Sequence, residues 1–177
     1  EQAGFEHVWA VDHHDESCIT FGNNQNCEVF TQEIDEFVQK ENLKKLKKID
    51  GLLFGFPCND FSLVGKNKKL KGKYGGLYKR ACDALDYLKP NFFVAENVTS
   101  IGKTFKTEKE HRREAQKNHL ASTNYKNFKQ IMGDLANCTK YGYRIYADNY
   151  KFEEYGIPQT RHRMILVGFR DDFFTKN

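Results

Sequence analysis

Six short apolar runs alternate along the chain with stretches in which apolar residues recur at helical spacing. The runs predict strands at 7–12, 27–30, 51–56, 92–97, 143–150 and 164–169. The stretches between them predict helices around 14–22, 33–47, 76–88 and 124–137. Because this alternation is typical of a mostly parallel sheet with helices on both faces, we expect an α/β fold.

The strands predicted at 52–56 and 92–95 contain apolar residues without a polar alternation. This pattern indicates strands that are buried on both faces of a sheet. Three segments are predicted to be loops: 65–76 is rich in glycine and lysine, 103–123 is polar with little periodicity, and 154–163 holds a proline turn.

Composition narrows the class of protein. The chain has 177 residues and 39% hydrophobic content, which is enough for one domain, and its net charge of +4 is compatible with a nucleic-acid partner without requiring one. The five cysteines form no CxxC pair, and no apolar run approaches the roughly 18 residues of a membrane span. We therefore expect a soluble, cytoplasmic protein of a reducing compartment, with no disulfide framework, zinc site or membrane attachment.

Polar or reactive residues end several of the predicted strands. In an open parallel sheet, ligands bind at the carboxyl ends of the strands, so these residues are candidates for one site. They are Asp12, Pro57 with Cys58, Glu96 with Asn97, and the pair Arg161 and Arg163 just before the last strand. Asp12 could bind both hydroxyls of a ribose or could cap the helix that follows. His13 and His14 have no third ligand at metal spacing, so we expect no metal site.

Cys58 follows Pro57 at the end of an apolar strand. A buried cysteine is usually a small core residue, but Pro57 stops the strand and leaves the thiol on the rim where ligands bind. The chain shows no spacing of a cysteine hydrolase and no resolving cysteine beside Cys58, which leaves attack on an electrophilic carbon. Glu96 reaches the same rim, where it could hold a proton near neutrality or pair with an arginine. Arg161 and Arg163 could address carbonyl oxygens or phosphates, or be ordinary surface charges.

Four blocks carry a family resemblance. Taken in order, "GFPCNDFS", "AENV" and "GIPQTRHRMILVGF" resemble three signature blocks of the DNA cytosine-5 methyltransferases, and "WAVDHHDES" falls where that family has its cofactor-ribose acid. The order and spacing of the blocks spread the resemblance over nearly the whole chain, most weakly across 101–123. It implies a Rossmann-like S-adenosylmethionine-dependent methyltransferase fold and an enzyme that methylates C5 of cytosine in DNA.

The resemblance implies catalytic roles for four residues. Cys58 would add to C6 of the cytosine, and Glu96 would hydrogen-bond to N3. Arg163 would contact the base O2 and support Glu96, while Arg161 would help to hold the nucleophile loop and the target nucleotide.

The resemblance also implies that S-adenosylmethionine is the cofactor. Asp12 matches the ribose-binding acid, and His13 takes the place of the ring that packs on the adenine. Glu33, in "TQEID", is the nearest match to the acid that contacts the adenine amino group. Leu77, in "GGLY", resembles the leucine that lines the cofactor site, and Pro57 belongs to the same set.

The implied partner is double-stranded DNA with a flipped cytosine, bound by a monomer. The residues implied to contact this substrate are Ser62, Asn97, Val98 and Gln159. Extrusion of the base requires a pocket and a loop that closes over the DNA. The family resemblance assigns that loop to 63–75.

The sequence departs from the family pattern in two respects. Asn59 and Asp60 follow Cys58, where many relatives have Gln-Ser or Gln-Ala. The glycine-rich first block and a target-recognition domain are not found in the chain, so we expect 1–177 to be part of a catalytic domain that lacks its first strand and its C-terminal part. The principal hypothesis is a DNA methylase of a bacterial or phage restriction-modification system. The alternatives are an RNA (tRNA) cytosine-5 methyltransferase and a non-catalytic fragment that keeps only the fold.

Overall fold

The computed structural model describes residues 3–57, 76–99 and 119–174, with the backbone alone described for 119–126. The chain divides into two compact units, Glu1–Ile49 and Asp50–Asn177. All six predicted strands are present. No helix in the described ranges is both long and apolar enough to cross a membrane.

The first unit is built on two parallel strands, β1 (Trp9–Asp12) and β2 (Glu28–Thr31). They are joined through helix α1 (Asp15–Asn24), and a bond from the Gln32 N–H to the Asp12 carbonyl (2.9 Å) extends the ladder past β2. Two short helices follow, α2 (Ile34–Phe37) and α3 (Lys40–Leu43).

The core of this unit is small and aromatic. Phe37 is buried and its ring lies 5.5 Å from that of Trp9 and 5.4 Å from that of Phe30. The prediction of one helix over 33–47 is wrong, because the backbone leaves the helical region at Gln39 (φ −63°, ψ 137°) and starts α3 afresh.

The second unit holds a four-stranded sheet in the order β3-β4-β6-β5. Its strands are β3 (Gly51–Gly55), β4 (Phe92–Val98), β5 (Tyr143–Lys151) and β6 (His162–Arg170). Helix α4 (Tyr78–Leu88) lies between β3 and β4 in the chain, and helix α5 (His119–Asn137) lies between β4 and β5. Residues 119–123, which were predicted to belong to a loop, are part of helix α5.

This sheet is mixed rather than mostly parallel. β3 and β4 are parallel, whereas β6 is antiparallel to both β4 and β5. The reason is the connection over 152–161, which holds the 3₁₀ turn Phe152–Tyr155 and Gly156 at φ 80° and contains no crossover helix. A connection of this kind returns the chain beside the strand it has just left, and therefore antiparallel to it.

One face of the sheet carries the core. Phe93, Ala95, Met164 and Leu166 are fully buried on it, and Tyr78 of α4 packs its ring 6.3 Å from that of Phe56 at the end of β3. Leu53 points to the opposite face and is 70% exposed, so the prediction that β3 is buried on both faces is wrong at this position. β3 is an edge strand of this sheet, which leaves its second face less covered than that of a central strand.

Candidate active site

The exit of β3 is held by a buried amide. Asn97 of β4 is 2% exposed, and its Nδ2 donates to the carbonyl oxygen of Phe56 at 2.9 Å. Its Oδ1 accepts the backbone N–H of Val98 at 2.8 Å. Pro57 has no N–H and cannot extend the strand pairing. The bond from Asn97 therefore holds the backbone at Phe56, one residue before the proline. Cys58 and Ser62, both predicted site residues, lie outside the described residues.

Glu96 and Arg163 form an ion pair across β4 and β6. Arg163 Nε lies 2.5 Å from Glu96 Oε1, with the two side chains 20% and 42% exposed. The strand register explains the contact, since Arg163 pairs with Val98 and therefore lies diagonally across from Glu96 on the same face. The Nε–H is not aligned for a hydrogen bond with any described residue, so the contact of Arg163 Nε with Glu96 is an ion pair without a hydrogen bond.

Gly55 leaves space beside this carboxylate. It pairs with Glu96 in the parallel register, and a Cβ at position 55 would lie 3.6 Å from Glu96 Oε2. That is ordinary van der Waals contact, so a methyl group would fit but would cover one side of the carboxylate. The glycine keeps that side open to a ligand.

The turn before β6 is held by Glu153. Its Oε2 accepts the backbone N–H of Arg161 at 3.3 Å, and its Oε1 lies 2.6 Å from Nε2 of His162. The backbone N–H of Glu153 itself and, next, the contact with His162 hold the pKa of Glu153 below its usual value. Glu153 therefore positions the segment that leads into Arg163.

The two predicted arginines have different surroundings. Arg163 lies within β6 and reaches Glu96, and its Nη1 also donates to the His162 carbonyl at 2.8 Å. Arg161 precedes the strand and is exposed, and the group that Glu153 holds is its backbone N–H. Gln159 is exposed in the same turn.

The first unit carries its own candidates at the carboxyl ends of its two strands. Asp12 ends β1 and pairs with Thr31, and Glu33 follows two residues later, so both acids lie at one edge of the parallel pair. Asp12 Oδ1 accepts the His14 N–H at 2.9 Å and lies 3.3 Å from Nδ1 of His13. The N-cap of α1 is His14, and Asp12 is not the cap.

These acids suit the adenosine part of a cofactor. The Asp12 and His13 side chains are 54% and 69% exposed, and Glu33 is exposed as well. Exposed carboxylates at adjacent strand ends can accept hydrogen bonds from hydroxyl and amino groups, which are the donors that a nucleoside presents. The hydrogen-bond acceptors in this unit therefore fit the adenosine part of S-adenosylmethionine.

Two further predicted residues lie in the second unit. Leu77 immediately precedes α4 and is half-buried, and Val98 ends β4 and is also half-buried. The sequence interpretation missed Glu153 and His162, which are nine positions apart. Only the antiparallel pairing of β5 with β6 brings them together, so no local motif could have identified the pair.

Comparisons with known proteins agree with this architecture. A family model described as C-5 cytosine-specific DNA methylase matches residues 1–176. The Type II methyltransferase M.BbvI of Brevibacillus brevis is 38% identical over 172 residues, which cover 95% of this chain and 41% of that protein. The Type II methyltransferase M.NgoFVII of Neisseria gonorrhoeae is 35% identical over 171 residues, covering 97% of this chain and 40% of that protein.

Solved structures give the same fold. A protein of an E. coli prophage described as a DNA modification methyltransferase matches with a TM-score of 0.62 and 22% identity, covering 98% of this chain and 42% of that one. The Dnmt2 methyltransferase of S. pombe matches with a TM-score of 0.59 and 13% identity, covering 96% and 45%. At these identities the likeness shows the fold alone. The chain spans less than half the length of the relatives it matches.

Proposed function

Since the chain belongs to the C-5 cytosine-specific DNA methylase family, we propose that it takes part in transferring a methyl group from S-adenosylmethionine to C5 of cytosine in DNA. The match over residues 1–176 supports this proposal, and so do the relatives named as Type II methyltransferases. Those names also support a role in a restriction-modification system.

The chemistry requires a nucleophile because C5 of cytosine is a poor one by itself. In the proposed reaction the Cys58 thiolate forms a bond to C6, and N3 takes a proton, so that C5 becomes an enamine-like carbon. Once C5 has taken the methyl group that the cofactor would supply, leaving the cofactor as its thioether, loss of the C5 proton, return of the N3 proton and cleavage of the bond from sulfur to C6 release 5-methylcytosine and regenerate the thiolate. The position of Cys58 directly after Pro57, and the hold of Asn97 on Phe56, support this role.

The ion pair of Glu96 and Arg163 is the observation that carries the proposal. Glu96 would hydrogen-bond to N3 through a proton that the carboxyl group and N3 share. Arg163 would orient this carboxyl group and donate to the base O2. Arg163 Nε lies 2.5 Å from Glu96 Oε1, and its Nη1 donates to the His162 carbonyl, which supports the role of Arg163 in orienting the carboxyl group. The open space beside Gly55 would give the base access to Glu96.

The cofactor would be held through its adenosine part by the acids of the first unit. We assign Asp12 to the ribose hydroxyls, His13 to the adenine ring and Glu33 to the adenine amino group, with Leu77 and Pro57 as apolar contacts. When bound, S-adenosylmethionine supplies an electrophilic methyl group.

The substrate would be a cytosine extruded from duplex DNA, because C6 cannot be reached within the base stack. Ser62, Val98, Gln159 and Arg161 are the proposed contacts with the nucleotide and its strand. The buried Asn97 would act as a positioning residue, through the Phe56 carbonyl.

Trapping on duplex DNA containing 5-fluorocytosine tests the proposal, since fluorine at C5 prevents the final elimination. We expect a covalent complex that requires S-adenosylmethionine and maps to Cys58, with no complex for Cys58→Ala. Cys27→Ser removes another half-exposed thiol and controls for non-specific thiol chemistry. This variant should form the covalent complex at the wild-type rate.

Two results would count against the proposal. An adduct at another cysteine would remove Cys58 from the mechanism. Trapping on a fluorinated RNA hairpin but not on duplex DNA would assign the substrate to RNA.

A further inference from the structure

We propose that Cys82 and Cys138 form an oxidisable dithiol, a modification site separate from the proposed methylation site, that closes to a reversible disulfide when it meets a peroxide. Neither cysteine belongs to the motifs from which the proposed function is argued.

Helix periodicity brings the two cysteines together. Tyr78 of α4 donates its hydroxyl hydrogen to Asp134 Oδ2 of α5 at 2.5 Å. Cys82 lies four residues after Tyr78, and Cys138 lies four residues after Asp134, so each sits on the same side of its segment as the residue that makes this contact. Helices α4 and α5 contact each other, and Cys138 is the first residue after α5, so both cysteines lie about one helical turn beyond the contact of Tyr78 with Asp134.

The thiols meet as that geometry requires. The Cys82 thiol and the Cys138 sulfur hydrogen-bond to each other, and Cys138 Sγ also lies 3.2 Å from the Leu135 carbonyl oxygen. Both cysteines are reduced and half-buried, so a small oxidant has access while the pair stays ordered. No third histidine, cysteine or acid completes a metal-binding group in the part of the chain that the structure describes.

The hydrogen bond gives the two sulfurs different reactivities. Donation from Cys82 lowers the pKa of Cys138, while the same bond and burial raise the pKa of Cys82. The pair therefore loses its first proton, from Cys138, more readily than its second, from Cys82. Cys138 is the sulfur that reacts first, and Cys82 is the one that resolves.

The reaction balances with hydrogen peroxide as oxidant. The Cys138 thiolate forms a bond to one peroxide oxygen, the O–O bond breaks, and the hydroxide that leaves takes up a proton to become water. Cys82 then attacks the resulting sulfenic sulfur, the S–O bond breaks, and the departing hydroxide takes the Cys82 proton as a second water. Two thiols lose two electrons, and one peroxide gains them.

Peptide mapping of the peroxide-treated chain tests this site. Trypsin separates the two thiols onto peptides 81–103 and 130–140, and it leaves Cys58 on a third peptide, 49–66. After brief treatment and alkylation of the remaining thiols, we expect a crosslink between the first two peptides that a dithiol reductant removes. The oxidised chain should also melt about 5 °C or more above the reduced chain, because the crosslink restricts the unfolded state.

Variants separate a specific pair from general oxidation. Cys82→Ser and Cys138→Ser should each abolish the crosslink and the shift in Tm, whereas Cys27→Ser should retain both. The proposal is overturned if the wild-type chain yields separate sulfinic acids at the two positions without a crosslink, or if either cysteine links to Cys58 as often as to its proposed partner. This comparison uses the wild-type chain and holds even where a variant folds poorly.

Discussion

Replacing Asn97 by alanine tests whether the strand exit before Cys58 is held by one side chain. The amide is 2% exposed and makes two hydrogen bonds, at 2.9 Å to the Phe56 carbonyl and at 2.8 Å from the Val98 N–H. Loss of a buried hydrogen bond costs about 1 kcal/mol, and a buried acceptor left unpaired costs roughly 1–3 kcal/mol. We therefore expect Asn97→Ala to lower the free energy of unfolding by about 2–4 kcal/mol.

Urea unfolding measures this loss, with Asn91→Ala as the matched control. Asn91 precedes the same strand and donates to Asp50 at 3.1 Å, but in a solvent-exposed position at the opposite end of the β3 and β4 pair. Its removal should cost below about 1 kcal/mol. With a slope of roughly 2 kcal/mol per M, the unfolding midpoint of Asn97→Ala should fall by about 1–2 M, which is well resolved from the control.

Catalysis should respond to Asn97→Ala as well. A shift of about 1 Å in a reacting group can cost roughly 100-fold in rate, so we expect methyl transfer by the enzyme containing this chain to fall about 10- to 100-fold at a temperature where the variant is folded. If Asn97→Ala is no less stable than Asn91→Ala, the buried amide contributes nothing beyond an exposed one. If stability falls but trapping on 5-fluorocytosine DNA keeps its rate, Asn97 supports the sheet without positioning Cys58.

Three other predictions follow from individual contacts. Arg163→Lys keeps the charge but loses the planar guanidinium that is proposed to orient Glu96 and to donate to the base O2, so kcat for methylation should fall about 10- to 1,000-fold, whereas an unchanged kcat would exclude the guanidinium from catalysis. Because the pKa of Glu153 is lowered in the folded chain, its stabilising contribution is present above about pH 4.3 and disappears as the pH falls through its lower folded value. The gap in stability between wild type and Glu153→Gln should therefore close in acid, and a gap that is independent of pH contradicts the assignment. Tyr78→Phe removes a hydrogen bond to the Asp134 carboxylate and should lower the free energy of unfolding in urea by about 1.5–3 kcal/mol. Tyr143→Phe, whose hydroxyl donates to a backbone carbonyl, should lower it by about 0.5–1.5 kcal/mol, and equal losses would refute the charge-assisted bond.

Strand positions could be predicted from the sequence because short apolar runs are local signals. Each of the six runs became a strand. Helix ends were less predictable, since the break at Gln39 depends on surroundings that no window of sequence contains. Sheet direction was unpredictable for the same reason, because the reversal at Gly156 decides that β6 runs antiparallel to β5.

The chemistry divides in a similar way. The sequence by itself determined which reactive groups exist and that strand ends present them, because Pro57, Glu96 and Arg163 lie beside apolar runs whose boundaries can be recognised. Only the tertiary structure decided which groups touch: Glu96 with Arg163, Asn97 with Phe56, and Cys82 with Cys138. Each of these pairs joins residues at least 41 positions apart, and their contact depends on strand register and helix packing, which arise from the whole chain rather than from any local pattern.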